Sequence, residues 1–242
     1  MKRILILLIL ATSINFGFAQ DKLGFGNMPD GVDSAGFGTV TTWVKKASNE
    51  IWGTEIVEVT SSVTGRIWMD RNIGALRAAT SSVDSDSYGY LFQWGRNPDG
   101  HEIRTSDTTN VLSETDTPID GDFIISSSVP YDWRTPQNDN LWQSAIQGEW
   151  RLPTSAEFEA ERVGWVSNNA EGAYGSTLKI TVGGYRTPSG NGSIIASGTI
   201  CYYWTKDTNG IYTNTLWVTT TNAVSNLISY RGRGASVRLI KD

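Results

Sequence analysis

Helical patterning is scarce in this chain, and its scarcity is the strongest limit on the fold. Apolar residues recur at helical spacing in only two places, residues 139–148 and the segment that begins at Thr154. The second segment has clear boundaries, because Thr154 and Glu157 have the spacing of a capping box and Gly164 is a stop signal. We therefore expect two short helices in 242 residues, with strands and loops elsewhere.

Short strand candidates lie on both sides of these helices. They are separated by turn-forming clusters such as residues 188–192 and 207–210. The candidates are residues 55–59, 66–69, 178–181, 202–205, 215–219 and 236–240. Together these patterns predict an α+β domain with two short helices, small antiparallel sheets and long loops.

The N-terminal segment has the layout of a secretory signal peptide. Lys2 and Arg3 precede a short apolar run, and small residues lie before a cleavage point after Ala19. We therefore divide the chain into a signal peptide (1–19), an N-terminal arm or linker (20–53) and a folded domain (54–242). The expected location is extracellular, either secreted or at the cell surface.

The charge pattern narrows the choice of partners. The formal net charge is −5, and the chain has no cluster of basic residues. Since nucleic acids and anionic lipids are bound by basic patches, we expect neither as a partner. The apolar runs are also too short for a membrane span.

Cys201 and His101 are the only cysteine and the only histidine. We expect Cys201 to be a small buried apolar residue, with a nucleophile or an intermolecular disulfide as the alternatives. His101 lies close to Asp99, and we expect them to form a structural hydrogen bond that, with Arg96, ties a long loop to the core. An acid–base pair is the alternative.

A calcium-loop pattern begins at Asp84 but is incomplete. Asp86 and Gly89 occupy suitable positions, whereas Tyr88 and Gly95 stand where an EF-hand needs an oxygen ligand and a bidentate glutamate. We therefore expect no EF-hand, and the sequence predicts no metal or cofactor, with a calcium site of another kind at this stretch as the alternative.

Seven motifs, in order along the chain, resemble those of FISUMP (major paralogous) domains, which are related to the Lcl C-terminal domain. They are TGRIWMDRNIGA (64–75), YGYLFQWGRNPDGHE (88–102), DWRTPQNDNLWQ (132–143), WRLPTSAEFEA (150–160), GGYR (183–186), YYWT (202–205) and ASVRLIKD (235–242). The resemblance implies a C-type-lectin-like fold, whose scaffold formylglycine-generating enzymes share.

Two departures from the resembled families involve cysteine. Similar domains often have a cysteine before the WRLPT motif and another near the C-terminus, where this chain has residues 147–149 and Leu239. A disulfide worth about 2–4 kcal/mol is thereby replaced by packing. Formylglycine-generating enzymes use two cysteines that hold copper, and Cys201 alone does not supply that pair. We therefore expect no enzymatic activity.

Two functions remain open. The first is a recognition or adhesion module that binds a glycan or a surface protein through lectin-like loops. The second is a structural or assembly subunit of a virion spike, a fibre or a surface appendage, with self-association or docking through the arm that carries Trp43 and Trp52.

Recognition residues are expected between the late strand candidates, where polar and aromatic residues are frequent. The predicted contacts are Tyr212, Asn214, Asn222, Asn226, Tyr230 and Arg231. Tyr202 and Trp204 are expected to pack inward. Six further aromatic positions within the motifs are assigned to the core, namely Trp68, Trp94, Trp133, Trp142, Trp150 and Trp204.

Overall fold

The computed structural model describes residues 49–242. The predicted signal peptide and most of the predicted arm, including Trp43, lie outside this range. The last residues assigned to the arm belong to a hairpin of the domain, in which Ile51 pairs with Thr54. Ile51 is fully buried, and Trp52 packs on Phe92 and Trp142 with ring centroids 5.3 and 5.9 Å away.

The described residues form an α+β structure that is mainly β. The helices are α1 (Ser155–Arg162) and α2 (Ala170–Gly175), with a 3-10 turn at Ser85–Ser87. The strands are β1 (Glu50–Ile51), β2 (Thr54–Glu55), β3 (Glu58–Thr60), β4 (Ile67–Met69), β5 (Thr108–Thr109), β6 (Phe123–Ile124), β7 (Trp150–Arg151), β8 (Tyr185–Arg186), β9 (Ile194–Ile195), β10 (Ile200–Asn209), β11 (Tyr212–Thr219), β12 (Ala223–Tyr230) and β13 (Ile240–Lys241).

Residues 49–242 form five small sheets. The two largest are the three-stranded sheet β10-β11-β12 and the four-stranded sheet β3-β4-β13-β7. In the four-stranded sheet, the C-terminal strand β13 lies between β4 and β7, which are distant from it in the sequence. The pairs β1-β2 and β8-β9 are antiparallel, and β5-β6 is parallel. The predicted small antiparallel sheets and long loops are therefore present.

Strand β10 separates two hydrophobic clusters. Because side chains alternate across a strand, Cys201 and Tyr203 point to one cluster while Tyr202 and Trp204 point to the other. The first cluster includes Phe158 of α1. The six tryptophans assigned to the core are all at least nine-tenths buried.

Helix α1 begins where the sequence predicted. The Thr154 hydroxyl accepts a hydrogen bond from the Glu157 N–H at 3.1 Å, and the Glu157 carboxylate accepts one from the Thr154 N–H at 2.8 Å. Arg151 reinforces this box by donating to both carboxylate oxygens of Glu157, at 2.9 Å each. The capping-box prediction is confirmed.

The predicted helix at residues 139–148 is wrong. This segment forms turns, and Trp142 adopts φ +54°, a left-handed conformation incompatible with a helix. Trp142 is buried nonetheless, and Leu141 and Ile146 pack on the second cluster. The apolar spacing therefore reflects burial through a series of turns. Conversely, the sequence missed α2, a helix of only six residues capped by Asn169.

The strand predictions were partly correct. Residues 55–59 divide between β2 and β3, residues 202–205 and 215–219 lie within β10 and β11, and residues 178–181 form no strand. Residues 236–240 hold an isolated bridge at Ser236 and the first residue of β13. Strand β12 was missed because serines, at positions 225 and 229, occupy its buried positions.

Buried arginines hold the loops where regular structure is absent. Arg238 is 1% exposed and donates to the carbonyl oxygens of Leu178 and Met69 at 2.6 and 3.2 Å. Its Nε and Nη2 donate to the Asn72 amide oxygen at 3.1 and 2.8 Å. Asn72 in turn donates to the carbonyl oxygens of Ser87 and Tyr88. Asn72 and Arg238 therefore have a structural role in joining these loops.

Candidate functional site

Three half-buried tyrosines lie together at one end of the three-stranded sheet. Tyr212 and Tyr230 are directly opposite each other in the β11–β12 register, with ring centroids 5.0 Å apart. Tyr131 meets Tyr230 edge-on at 4.9 Å. The Tyr131 carbonyl accepts a hydrogen bond from the Gly232 N–H, and a Cβ at position 232 would lie 2.3 Å from that oxygen. Glycine is therefore required at this close approach.

Two more tyrosines gather around Arg233. The Arg233 guanidinium carbon lies 4.2 Å from the Tyr202 ring centroid and 4.8 Å from that of Tyr185, and these two rings meet edge-on at 5.0 Å. Such geometry is a cation–π contact. The Arg233 N–H also donates to the Tyr230 carbonyl at 3.1 Å, which joins the two groups. We call the five tyrosines and Arg233 the tyrosine surface.

The Tyr230 hydroxyl stays protonated at neutral pH. A hydrogen bond with Tyr212 raises the pKa of the Tyr230 phenol above its usual value, which outweighs the opposing charge of Arg233. A neutral phenol both donates and accepts hydrogen bonds. The surface therefore offers flat apolar rings bordered by hydroxyl groups and one cation.

The six contacts predicted from the sequence do not form a single site. Tyr212 and Tyr230 belong to the tyrosine surface, and Asn214 pairs with Ile228 two residues along the same strands. Asn222 lies beyond the far end of these eight-residue strands, roughly 25 Å away at the usual rise per residue.

Arg231 is an interior residue and not a surface contact, which corrects the prediction. Its side chain is 1% exposed and lies over the Trp94 ring with its guanidinium carbon 4.9 Å from the centroid. Its Nη2 donates to Asp139 at 2.5 Å and to the Gly210 carbonyl at 2.8 Å. Arg231 therefore holds the β10–β11 turn against the loop at Asp139.

Asn222 and Asn226 instead line a polar cleft of about 570 Å³ between α1 and the start of β12. Its charged groups neutralise each other, because Glu159 accepts hydrogen bonds from Arg162 at 2.6 and 2.7 Å. Hydrogen bonds from Arg162, followed by one from Ser225, lower the pKa of Glu159 to about 2. The cleft therefore has a fixed ion pair beside exposed amides.

Some members of the tyrosine surface were missed. Tyr131 follows a loop without a periodic pattern. Tyr185 belongs to the GGYR motif, which does not indicate whether its side chain is exposed. Tyr202 was expected to face inward, yet it is only half-buried, whereas Trp204 is fully buried as predicted. Only tertiary contacts bring these residues together with Arg233, so no pattern in the sequence predicts this group.

Asp99, His101 and Glu102 are the one group of potential metal ligands found among residues 49–242, with ligand atoms within 4.8 Å of one another. His101 Nε2 accepts a hydrogen bond from the Gln93 N–H at 3.1 Å, so the ring proton lies on Nδ1. Nδ1 lies 2.7 Å from an Asp99 oxygen, and burial lowers the pKa of His101. A neutral histidine with both nitrogens engaged is a structural group.

The loop role predicted for this group is confirmed. Arg96 donates to Asp99 at 2.8 Å and to the carbonyl oxygens of Asp120 and Asp122 at 2.9 Å each. It thereby ties the long connection between β5 and β6 to the core.

The incomplete calcium loop and Cys201 also have structural roles. Arg77 approaches both Asp84 and Asp86, at 2.6 and 3.1 Å, and its guanidinium occupies the place that a cation would take. Cys201 is fully buried, and burial raises the pKa of its thiol. A thiol in this state is a poor nucleophile and a poor metal ligand.

Comparisons of the chain with family models, with curated proteins and with solved structures gave no match. Within residues 49–242, no helix has the length and apolar character needed to cross a membrane.

Proposed function

We propose that this protein is a secreted or surface-displayed recognition module without catalytic activity, and that it binds a glycan or a surface protein through the tyrosine surface. The observation that carries this proposal is a pair of adjoining groups of half-buried tyrosines, three that contact one another and two that contact Arg233, linked by the hydrogen bond from the Arg233 N–H to the Tyr230 carbonyl.

The chemistry of these side chains suits recognition. A tyrosine ring gives a large contact area at little entropic cost, and its hydroxyl supplies a hydrogen bond. Arg233 is only half-buried, and no carboxylate among residues 49–242 forms an ion pair with it, so its positive charge is available to a ligand. Sugar hydroxyls, carboxylates and peptide carbonyls are all suitable acceptors.

The sequence resemblance to FISUMP domains supports the same proposal. It implies a C-type-lectin-like scaffold, whose loops near the late strands generally form the binding surface. The tyrosine surface is built from β8, β10, β11, β12 and the loops at Tyr131 and Arg233, which include the corresponding part of this chain. The buried thiol of Cys201 and the engaged ring of His101 support a non-catalytic role.

Glycan arrays and surface-protein arrays probed with the mature chain would test the proposal. For any ligand found, we expect Tyr212→Ala, Tyr230→Ala and Arg233→Gln each to weaken binding roughly 10-fold or more. The matched control is Tyr174→Ala, because Tyr174 is a partly exposed tyrosine of α2 outside this surface. Equal loss in the control, or no loss in the three variants, would contradict the assignment.

The assembly function predicts a different outcome. A structural subunit would leave both arrays blank and form stable oligomers, measured by light scattering, that disappear when residues 20–48 are removed. A monomer that retains ligand binding after this truncation would support recognition.

A further inference from the structure

One stretch of the chain has acidic residues and no basic ones. Residues 105–133 contain no Lys, Arg or His. The same stretch contains six carboxylates, which are Asp107, Glu114, Asp116, Asp120, Asp122 and Asp132. Four of the six, namely Glu114, Asp116, Asp120 and Asp122, lie in the connection between β5 and β6.

The same connection displays apolar side chains in an open cleft of about 440 Å³. Val111 is 70% exposed and Ile119 is fully exposed, and Leu112 and Pro118 also line the cleft. Glu114 and Asp120 are part of the same lining. We call this feature the acidic apolar cleft.

The backbone beneath the cleft is firmly anchored. Arg96 holds the carbonyl oxygens of Asp120 and Asp122, as described above. On the other side, the Ser113 N–H donates to the Trp133 carbonyl at 3.0 Å, and the Ser113 carbonyl accepts from the Thr135 N–H at 2.9 Å. An anchored loop that holds apolar side chains in water is typical of a binding surface.

The charge of the cleft selects the kind of partner. Asp116 lies 2.7 Å from the Nε of Arg134. Among residues 49–242, no cation is paired with Glu114, Asp120 or Asp122. The four carboxylates of the connection outnumber the two cations that contact it, Arg96 and Arg134, so the cleft favours a cationic partner over anionic lipid or nucleic acid.

We propose that the acidic apolar cleft binds a segment of a partner protein in which apolar side chains are flanked by lysine or arginine. The apolar side chains would cover Val111 and Ile119, while the cations would face Glu114 and Asp120. This surface is separate from the proposed function, since none of its residues belongs to the tyrosine surface.

Fluorescence anisotropy with three labelled peptides of equal length tests this proposal. The probes alternate Lys with Leu, Glu with Leu, and Lys with Ser. We expect only the Lys–Leu peptide to bind measurably, with an affinity that falls as salt increases. Ile119→Ser and Glu114→Gln should each weaken this binding, the former by roughly 10-fold.

Matched controls separate the cleft from non-specific attraction to an acidic protein. Val166→Ser removes a fully exposed valine elsewhere on the chain, and Glu171→Gln removes an exposed carboxylate of α2. Both variants should bind the Lys–Leu peptide like the parent. Equal weakening in the controls, equal binding of the Glu–Leu peptide, or absence of Lys–Leu binding would each overturn the proposal.

Discussion

Backbone N–H and C=O groups find their hydrogen-bond partners differently in the three-stranded sheet and in the loop region between β4 and β7 (residues 70–149). In the sheet, β10, β11 and β12 pair with their sequence neighbours through short turns. The loop region contains only two two-residue strands and the 3-10 turn, and its carbonyl oxygens are bound by side chains such as Arg96 and Asn72. Its structure therefore depends on a few buried polar groups, whereas that of the sheet is spread over many backbone bonds.

The strongest test of this contrast is Arg238→Met. The substitution retains an unbranched apolar stem but leaves the Leu178 carbonyl and the Asn72 amide oxygen without their donor. Since Arg238 is completely buried and serves several acceptors, we expect a loss of roughly 3–5 kcal/mol in the free energy of unfolding, measured with urea. Arg77→Met, at an arginine with a 43% exposed side chain, should cost much less, because solvent screens its ion pairs. Similar losses in both variants would refute the special role of the buried arginine.

Arg96→Met should have a smaller and more local effect. We expect a loss of roughly 2–4 kcal/mol, because the carbonyl oxygens of Asp120 and Asp122 lose their donor. Amide hydrogen exchange should accelerate in residues 120–124 while protection in β11 is retained. Uniform acceleration across both regions would show that loop and sheet unfold together.

The capping box of α1 makes stability depend on pH. Partial burial opposes ionisation of Glu157, but hydrogen bonds from Arg151 and the Thr154 backbone outweigh it and lower its pKa from 4.5 to about 2. Because the folded pKa is lowered, this contribution is fully present above pH 4.5 and is lost as the pH falls towards 2.

We therefore expect the parent to lose on the order of 1–3 kcal/mol more stability than Glu157→Gln between neutral pH and pH 2. Urea unfolding across this range measures the difference. Parallel pH profiles of the two proteins would contradict the assignment.

The smallest expected effect compares the two helix caps. Thr154→Ala should lower the free energy of unfolding by about 0.5–2 kcal/mol through loss of the cap. Asn169→Ala should cost a similar amount, because its side-chain oxygen accepts from the N–H groups of Glu171 and Gly172 at 3.1 Å each. Unchanged melting temperatures would show that neither cap contributes to its helix.

The sequence alone determined the features that depend on neighbouring residues. The capping box at Thr154 and Glu157 is local chemistry, and it correctly placed the start of α1. The strand candidate at residues 202–205 likewise identified part of β10. Two tyrosines of the candidate site, Tyr212 and Tyr230, were found because they lie in a stretch rich in recognition-type residues.

Tertiary structure decided the rest, because contacts between distant residues overrode local patterns. Trp142 lies in an apolar pattern of helical spacing, but packing on the second cluster places it in a left-handed turn. Arg231 has the charge of a surface residue, yet its partners Asp139 and Trp94 draw it into the interior. Arg233 meets Tyr185 and Tyr202 only after folding, so the cation–π contacts that define the tyrosine surface leave no trace in sequence spacing.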